Sequence, residues 1–488
     1  MIFMRRTHLC KAIRGLALLV LWATPLLEAQ QTTANSGSEA TAAQTSGDSS
    51  QGAQTPSVPS ATNVVEPERW NLYYQATSIG DYHGAFAAKY SGPFSLENVA
   101  ERDVSLTTTL SFGFQLLKNT QLYFDPEIAG GRGFSHVDGL ANAANGELPR
   151  VATATPKPYI ARLFIQQDFA IGPDKEMIMS DANQLAGERP ATRYTIVVGR
   201  FTLTDYFDNN NYTHDPRSQF MGWAVMYNGA FDYAADVRGY TWGWVHEFHT
   251  GNWSLRYASA FMPKVANGSQ LDRRILEDRG DVIEGERDFA PHGHAGAIRV
   301  LAYGNHADAG NYAEALALAQ RTGTQPDVIA TRKPGTLKYG FGINMDQEIT
   351  KGFGVFARLG WNDGKTESFA FTAMDRLATG GVSFQGTRWH RPADVLATEV
   401  TFGGISGVHA TYLARGGYDF LIGDGGLNYA PETIWETYYN AHLFQGFTAG
   451  LDAQHVNNPA YNQDRGPVWT YSLRLHLELS KDDFIRKH

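Results

Sequence analysis

The sequence predicts an all-β chain, a transmembrane antiparallel β-barrel of about sixteen strands. The first observation is the stretch Val468 to Leu479, with Trp469, Tyr471, Leu473, Leu475, Leu477 and Leu479 on one parity. Thr470, Ser472, Arg474, His476 and Glu478 occupy the other. Side chains on a strand point alternately to opposite faces, so one face is greasy and the other ionic. A half-buried soluble strand gives the same alternation over a shorter run; this one has the length a tilted strand needs to cross a bilayer. The second is that the pattern recurs along the chain between turn signals. The third is a mean hydropathy of −0.32 with no long apolar run in the body, which excludes helical spans. A barrel escapes that test because its lipid-facing and lumen-facing residues alternate.

At the N-terminus, Arg5, Arg6, Lys11 and Arg14 accompany the apolar run from Leu16 to Ala23, the layout of an export signal over residues 1–29. Cleavage is expected after Ala29, although Leu27 is larger than usual two positions earlier. An uncleaved anchor helix is the alternative, for which the run is short. Cys10, the only cysteine, lies inside this signal, so no disulfide or thiol chemistry is expected of the mature chain. The formal net charge of −9 becomes more negative once the signal is removed, which argues against a nucleic-acid partner. Residues 30–68 are rich in Gln, Thr, Ser, Ala and Gly and contain no aromatic residue. Such a segment buries too little apolar area to offset its chain entropy and is expected to be a disordered periplasmic tether.

Composition changes at Trp70. Val104, Leu106, Leu110, Phe112 and Phe114 oppose Ser105, Thr107, Thr109 and Ser111. Clear copies follow over 337–346, 353–361 and 447–453, and weaker ones near 70–77, 120–128, 158–169, 193–201, 234–248, 253–262, 296–306, 380–390, 393–404 and 432–443. Fifteen segments leave the tight turns at 117–119, 250–252, 350–352 and 444–446 on opposite sides. Bacterial barrels keep short turns on the periplasmic side. A further strand within the charged stretch 273–288 restores the parity, giving sixteen strands over 69–480 and a tail over 481–488. The strand at Val468 then closes the ring against the strand at Trp70. The long outer loops are expected at 78–103, 129–157, 202–233, 263–272, 307–336, 362–379, 405–431 and 457–467. Two of them carry helical patterns, Asn311–Gln320 and Val408–Arg415. The connection 170–192 is unusually long for a periplasmic turn, and nothing in its sequence accounts for it.

The loop 202–233 concentrates Asp, Asn, aromatic residues and Arg217, and is too long for a mere connection. Folded inward, it would narrow the lumen and present Asp205, Asp208, Tyr212, His214, Asp215 and Arg217 to a solute. The bland alternative is a surface loop whose Asx residues cap turns. A calcium site at Asp208, Asn210 and Asp215 fits no EF-hand spacing. In 236–246, Asp236, Arg238, Tyr240, Trp242, Trp244 and His246 share one parity, so they form either a luminal track or, with a bulge, a membrane-interface girdle. Arg299, Arg358 and Arg474 sit opposite apolar parities. In lipid each would cost about 2–4 kcal/mol at mid-depth, so they are expected to line the lumen with Glu478.

The loop motifs resemble one family, the carbohydrate-selective porins of the OprB type, from about Trp70 to Leu479. The resemblance rests on Val198–Phe201, on Asp205, Phe207, Asp208, Tyr212, His214–Arg217 and Phe220, and on Gly229–Asp236. It continues through Gly360–Gly364, Glu436–Tyr439, Asn458–Asn462 and Asp464–Pro467. It implies a sixteen-stranded outer-membrane barrel of a Gram-negative-type bacterium that passes sugars by passive diffusion past an inward-folded loop. Such barrels usually end on an aromatic residue; here Ser480 to His488 trail beyond the last strand, with Phe484 internal.

Sugar transit calls for rings against pyranose C–H faces and for charged or amide groups against hydroxyls. The expected partners are therefore small neutral carbohydrates, outer-membrane lipid and lipopolysaccharide, and the barrel assembly machinery; a homo-oligomer is left open. No cofactor and no catalysis are expected: His292 and His294 lack a third ligand, and no nucleophile elbow or phosphate-binding loop occurs. The alternatives are a porin for other small solutes and a secreted soluble β-rich sugar-binding protein.

Overall fold

A computed structural model describes residues 66–147 and 155–485. The export signal, most of the 30–68 segment, residues 148–154 of an outer loop and the last three residues of the tail lie outside the described residues.

Sixteen strands close into one antiparallel barrel. The wall runs through β1 (Trp70–His83), β2 (Glu101–Leu117), β3 (Thr120–Gly131) and β4 (Lys157–Ala170). A separate two-stranded hairpin follows, β5 (Lys175–Ile178) with β6 (Gly187–Pro190). The wall resumes with β7 (Arg193–Phe201), β8 (Thr241–Thr250), β9 (Trp253–Phe261) and β10 (Arg279–Phe289). Next come β11 (Gly296–Ala309), β12 (Lys333–Thr350), β13 (Phe353–Asn362) and β14 (Arg376–Gly386). It ends with β15 (Arg391–Gly404), β16 (Glu432–Phe444), β17 (Phe447–Asn457) and β18 (Val468–Ser480). β18 seals the ring against β1 in continuous register from Tyr73↔Ser480 to His83↔Thr470. Closure leaves no strand edge, which is what permits backbone polar groups to sit at membrane depth.

The period-two pattern maps onto the two faces. On β18, Trp469, Tyr471, Leu473 and Leu475 are exposed outward while Thr470, Ser472, Arg474 and His476 are buried inward. The expected charged strand is β10, where Glu284 and Glu286 face in and Ile283 faces out. The four tight turns each carry a residue at positive φ, Asn119, Gly251, Gly352 and Gly446. Turns of this kind match the twist of the flanking strands and favour Gly or Asn.

Short helices decorate the loops: α1 (Trp223–Met226) inside the lumen, α2 (Tyr312–Thr322) and α3 (Gly407–Ala414) on the outer side, and α4 (Lys481–Ile485) after the last strand. The expected helical patterns in the two outer loops correspond to α2 and α3. The largest apolar cluster lies within the ring, where Phe207, Trp223, Tyr227, Phe231 and Tyr233 of the 202–240 loop pack with Phe371 and Met374 of the loop after β13. Trp223 and Phe371 stack with ring centroids 5.7 Å apart.

Two boundaries depart from expectation. The strand expected over 234–248 begins only at Thr241, because Asp236 closes a turn: its backbone N–H donates to Tyr240 O at 2.8 Å, its carboxylate accepts from the N–H of Arg238, and Gly239 adopts φ 84°. The strand expected over 380–390 is Arg376–Gly386, with a 3₁₀ turn at Thr387–Trp389 after it. At the barrel's N-terminal edge, Glu68 is already docked, accepting from Ala186 N–H at 3.0 Å and pairing with Lys481 at 2.9 Å.

Candidate functional site: a loop anchored across the lumen

The loop between β7 and β8 turns inward and is tied to the wall at several points. It begins with a capping box in which Asp205 and Thr202 satisfy each other's backbone N–H groups. Asp205 also receives a bidentate pair from Arg162 on β4, at 2.8 and 2.7 Å. Arg162 in turn reaches Asp125 on β3 at 3.3 Å.

Further along, Asp208 meets Arg358 of β13 at 3.1 Å, and its second role is to accept the N–H of Asn228 at 2.7 Å. Arg358 also donates to the carbonyls of Thr213 and Val225, so its guanidinium is consumed by loop backbone. Glycines on the luminal face of this wall let the loop approach. A Cβ on Gly354 would lie 1.9 Å from the Tyr212 ring, and one on Gly360 would lie 2.1 Å from Asn228 Oδ1. Only a residue without a side chain fits such contacts.

On the opposite side of the ring, Arg217 is only 2% exposed and donates to Glu147 at 2.8 Å, to Gln75 at 2.6 Å and to Glu127 at 3.1 Å. Asp215 caps the local turn, accepting from Arg217 N–H at 3.0 Å and from Ser218 Oγ at 2.7 Å. Arg474 of β18 donates to the carbonyls of Pro216 and Gln219. Glu436 of β16 accepts from the N–H groups of Met221 and Gly222. The loop thus spans from β3 and β1 to β13 and β16. An unpaired buried charge is strongly destabilising; here Asp205, Asp208 and Arg217 are ion-paired, and Asp215, Arg474 and Glu436 are hydrogen-bonded to backbone or neutral groups, which is what allows so ionic an interior.

His214 is buried at the edge of Tyr227, 5.0 Å between centroids, and neither ring nitrogen has a hydrogen-bond partner. Burial first, and the nearby Arg358, Arg299 and Arg162 charges second, push its pKa down to about 3. It is a neutral packing residue, not a cationic contact.

Asp232, which the sequence reading carries only as part of the Gly229–Asp236 motif and gives no site role, organises the outer half: its carboxylate accepts the N–H groups of Phe369, Ala370 and Phe371, and Lys338 lies 3.4 Å away. It draws the loop after β13 down onto the first loop.

The luminal track expected from 236–246 is not formed, and Trp242 is the residue that must be moved. On β8 the buried inward parity is Thr241 and Val245, while Phe248 is exposed outward. Trp242, Trp244 and His246 share the outward parity, and His246 stacks beside the exposed Tyr257. The turn at Asp236 breaks the parity of the run, so the girdle reading holds for this part. Asp236 pairs with Arg200 at 2.6 Å, and Arg238 lies over the Tyr159 ring at 3.8 Å.

Arg299 faces inward between Glu286 (2.5 Å) and Asp346 (2.7 Å). Glu478 faces inward and remains about a third exposed, near His476. Beside Arg299 lies Arg256, bonded to Glu247 at 2.6 Å and Glu286 at 3.2 Å and still partly open to water. Asn211, Tyr212 and Gln219 on the loop also keep exposure. Arg256 and Glu286 were readable in principle, since Leu255, Tyr257 and Ile283 are exposed on the opposite parity.

Of the three residues weighed for calcium, Asp208 is taken up by Arg358, and Asn210 donates to Asn344 at 2.7 Å. Among the described residues no cluster of three or more His, Cys, Asp or Glu is arranged to hold a metal ion.

A closed sixteen-stranded barrel with a greasy outer face, a polar lumen and a loop folded across it defines a porin. The profile of the carbohydrate-selective porin family, OprB, matches residues 12–479. The chain belongs to that family, and its place is the outer membrane of a Gram-negative bacterium. The high-pH structure of OprB from Pseudomonas putida has the same fold, with a TM-score of 0.63 at 15% identity over 84% of this chain and 94% of that one. OccAB1 from Acinetobacter baumannii gives 0.45 at 9% identity, over 85% and 97% of the two chains. OccK2 from Pseudomonas aeruginosa gives 0.42 at 8% identity, over 84% and 98%. No curated protein matches the chain by sequence.

Proposed function

We propose that carbohydrate selectivity in this porin is set by the 202–240 loop together with the ionic inner face of β9–β13 and β18. The observation that supports this most is the docking of one loop on opposite walls, through Arg162–Asp205, Asp208–Arg358 and Arg217–Glu127. Within it, Asp205, Asp208, His214, Asp215, Arg217, Asp236 and Arg238 act as the frame, fixing the loop rather than touching solute. Tyr212, Asn211 and Gln219 are the loop's own contact edge. Arg256, Arg299, Glu286 and Glu478 supply charge of both signs along the path. Arg358 and Arg474 hold loop carbonyls.

Transit is passive and leaves the solute chemically unchanged. Binding must be weak enough for the sugar to leave. Lipid and lipopolysaccharide cover the outward aromatic and aliphatic face, and the assembly machinery inserts the chain after an export signal at residues 1–29 is removed. Residues 30–68 form a periplasmic segment ahead of the barrel. Self-association is a separate question for solution or native-gel measurement.

The test is single-channel conductance in planar bilayers with sugars titrated in. Concentration-dependent block of the ion current supports sugar passage through the constriction. A current indifferent to every sugar would leave a general small-solute porin.

A further inference from the structure

The hairpin β5–β6, which occupies the periplasmic connection between β4 and β7, does not hang below the barrel. Its tip, from Ser180 to Leu185, is held against the inner face of β1–β3. Asn71 of β1 donates to the carbonyls of Asp181 at 3.0 Å and Gln184 at 2.8 Å. The N–H of Leu185 donates to the hydroxyl of Tyr123 on β3 at 3.3 Å, and a Cβ on the luminal Gly113 of β2 would come within 3.1 Å of Leu185. Asn183 reaches higher, donating to Asp125 at 2.9 Å. Asp125 lies roughly 17 Å along β3 from its periplasmic end at Thr120, at about 3.3 Å per residue.

The base of the hairpin is clamped as well. Arg189 makes a bidentate pair with Asp168 of β4, and Glu176 pairs with Arg193 of β7 at 2.5 Å. A loop held by ion pairs at its base and by four wall residues at its tip is a built element.

We propose that this hairpin is a second selectivity element, narrowing the periplasmic half of the pathway on the β1–β4 side. Two observations carry it beyond a structural brace. First, the alternation that starts on β5 and runs on to Ser180 turns Glu176 and Ser180 toward the barrel, where Ser180 accepts from Asn71 of β1 and donates to Glu68, and Glu176 meets Arg193. Met177 and Met179 then turn away from those contacts into water, 49% and 63% exposed, at the periplasmic end of the barrel. A pair of flexible apolar side chains at a pore mouth disfavours hydrated ions and tolerates the C–H faces of an uncharged solute. Second, the hairpin is continuous with the outer constriction: Asn183 binds Asp125, Asp125 pairs with Arg162, and Arg162 holds Asp205 of the 202–240 loop. The lumen is therefore filled from both ends along one wall, and solute is steered toward the wall at β9 and β10, where Arg256 stays partly open to water. This rests on the barrel being a diffusion channel and on no assignment of the sugar.

The experiment uses the full chain with Cys10→Ser and Met179→Cys, so that the hairpin carries the only thiol, reconstituted in planar bilayers. Positively and negatively charged methanethiosulfonate reagents are added to both chambers. The expected result is a stable fall in single-channel conductance of roughly a fifth or more, with reversal potentials displaced in opposite directions by the two reagents. Labelling confirmed by mass but without change in either quantity would overturn the proposal. In parallel, replacing residues 173–190 by a short Gly-Ser turn should raise conductance and admit larger solutes. A folded replacement, judged by its heat-modifiable gel mobility, with conductance and size cut-off unaltered would also overturn it. Should that variant fail to fold, the Met179→Cys measurement decides alone. Both readouts are independent of sugar block, so they distinguish failure here from failure of the outer constriction.

Discussion

Arg217, in the middle of the inward loop, donates to Glu127 on β3 across 3.1 Å, while its Nε serves Glu147 at 2.8 Å. One guanidinium thereby holds the β7–β8 loop to β3 and to the loop after it, and neutralises two buried carboxylates. Arg217→Ala leaves both carboxylates uncompensated, and breaking a buried pair in this way costs about 3–5 kcal/mol. The variant should lose its heat-resistant gel mobility at lower temperature and conduct more current, with weaker sugar block. Unaltered block would remove this loop from the constriction.

Gly360 and Asn228 define the contact on the other wall. Any side chain at 360 meets Asn228 Oδ1, and Asn228 itself is held by its bond to Leu359 O. Gly360→Val is expected to cost about 1–3 kcal/mol by overpacking and to displace the loop. Higher open-channel noise with the barrel still assembled is the expected readout.

Trp242 lies on the membrane side of β8. Trp242→Ala should leave conductance and sugar block unchanged and should weaken the protein's hold at the membrane interface, read as a lower unfolding temperature in lipid. A changed block would return this ring to the lumen.

His409 on α3 links the outer loops, its ring nitrogens 3.2 Å from Asp375 and 3.1 Å from Asp419, with Tyr312 stacked at 4.2 Å. Burial disfavours the charged ring, but the hydrogen bonds to the two carboxylates outweigh it and raise its pKa from 6.5 to about 9. Asp375 is likewise opposed by burial yet held below 3.8 by His409. A raised folded pKa gives stability that is complete below 6.5 and lost as pH climbs through about 9. The Asp375 contribution is present above 3.8 and lost as pH falls below it. The outer loops should resist protease best between those limits and become more susceptible at about pH 10. His409→Gln should abolish the alkaline part of that change.

Arg256 and Glu286 share the partly open side of the lumen. Arg256→Ala removes one positive charge and leaves Glu247, Glu284 and Glu286 without that partner. The pore should become more cation-selective, seen as a shifted reversal potential in a salt gradient, with the effect diminishing at high ionic strength. An unmoved potential would take this cluster off the path.

Much of this molecule was legible in the sequence because a strand has a period of two. Wherever one face meets lipid, apolar side chains alternate with polar ones, and that local fact predicted the strands, their inward residues Arg299, Arg358, Arg474 and Glu478, and the ring closed by β18 on β1. Turn parity located even the charged strand, within 273–288. The same reasoning failed at 234–240, where a run of matching parity continued through an Asx turn. Alternation alone does not register a turn that breaks the register, although Asp236 and Gly239 were the signal for one.

The tertiary structure decided the rest. That Arg217 and Asp208 are buried among partners rather than open to the pore follows from Glu127 and Arg358, on strands distant in the chain, and from Glu147 in the loop after β3. The same holds for Asp232, and for the 170–192 connection, whose hairpin is received by Asn71, Tyr123 and Asp125. Faces are set by the covalent alternation of neighbouring residues and can be read one strand at a time. Partners across a lumen are set by how the whole ring closes, and no stretch of sequence contains that by itself.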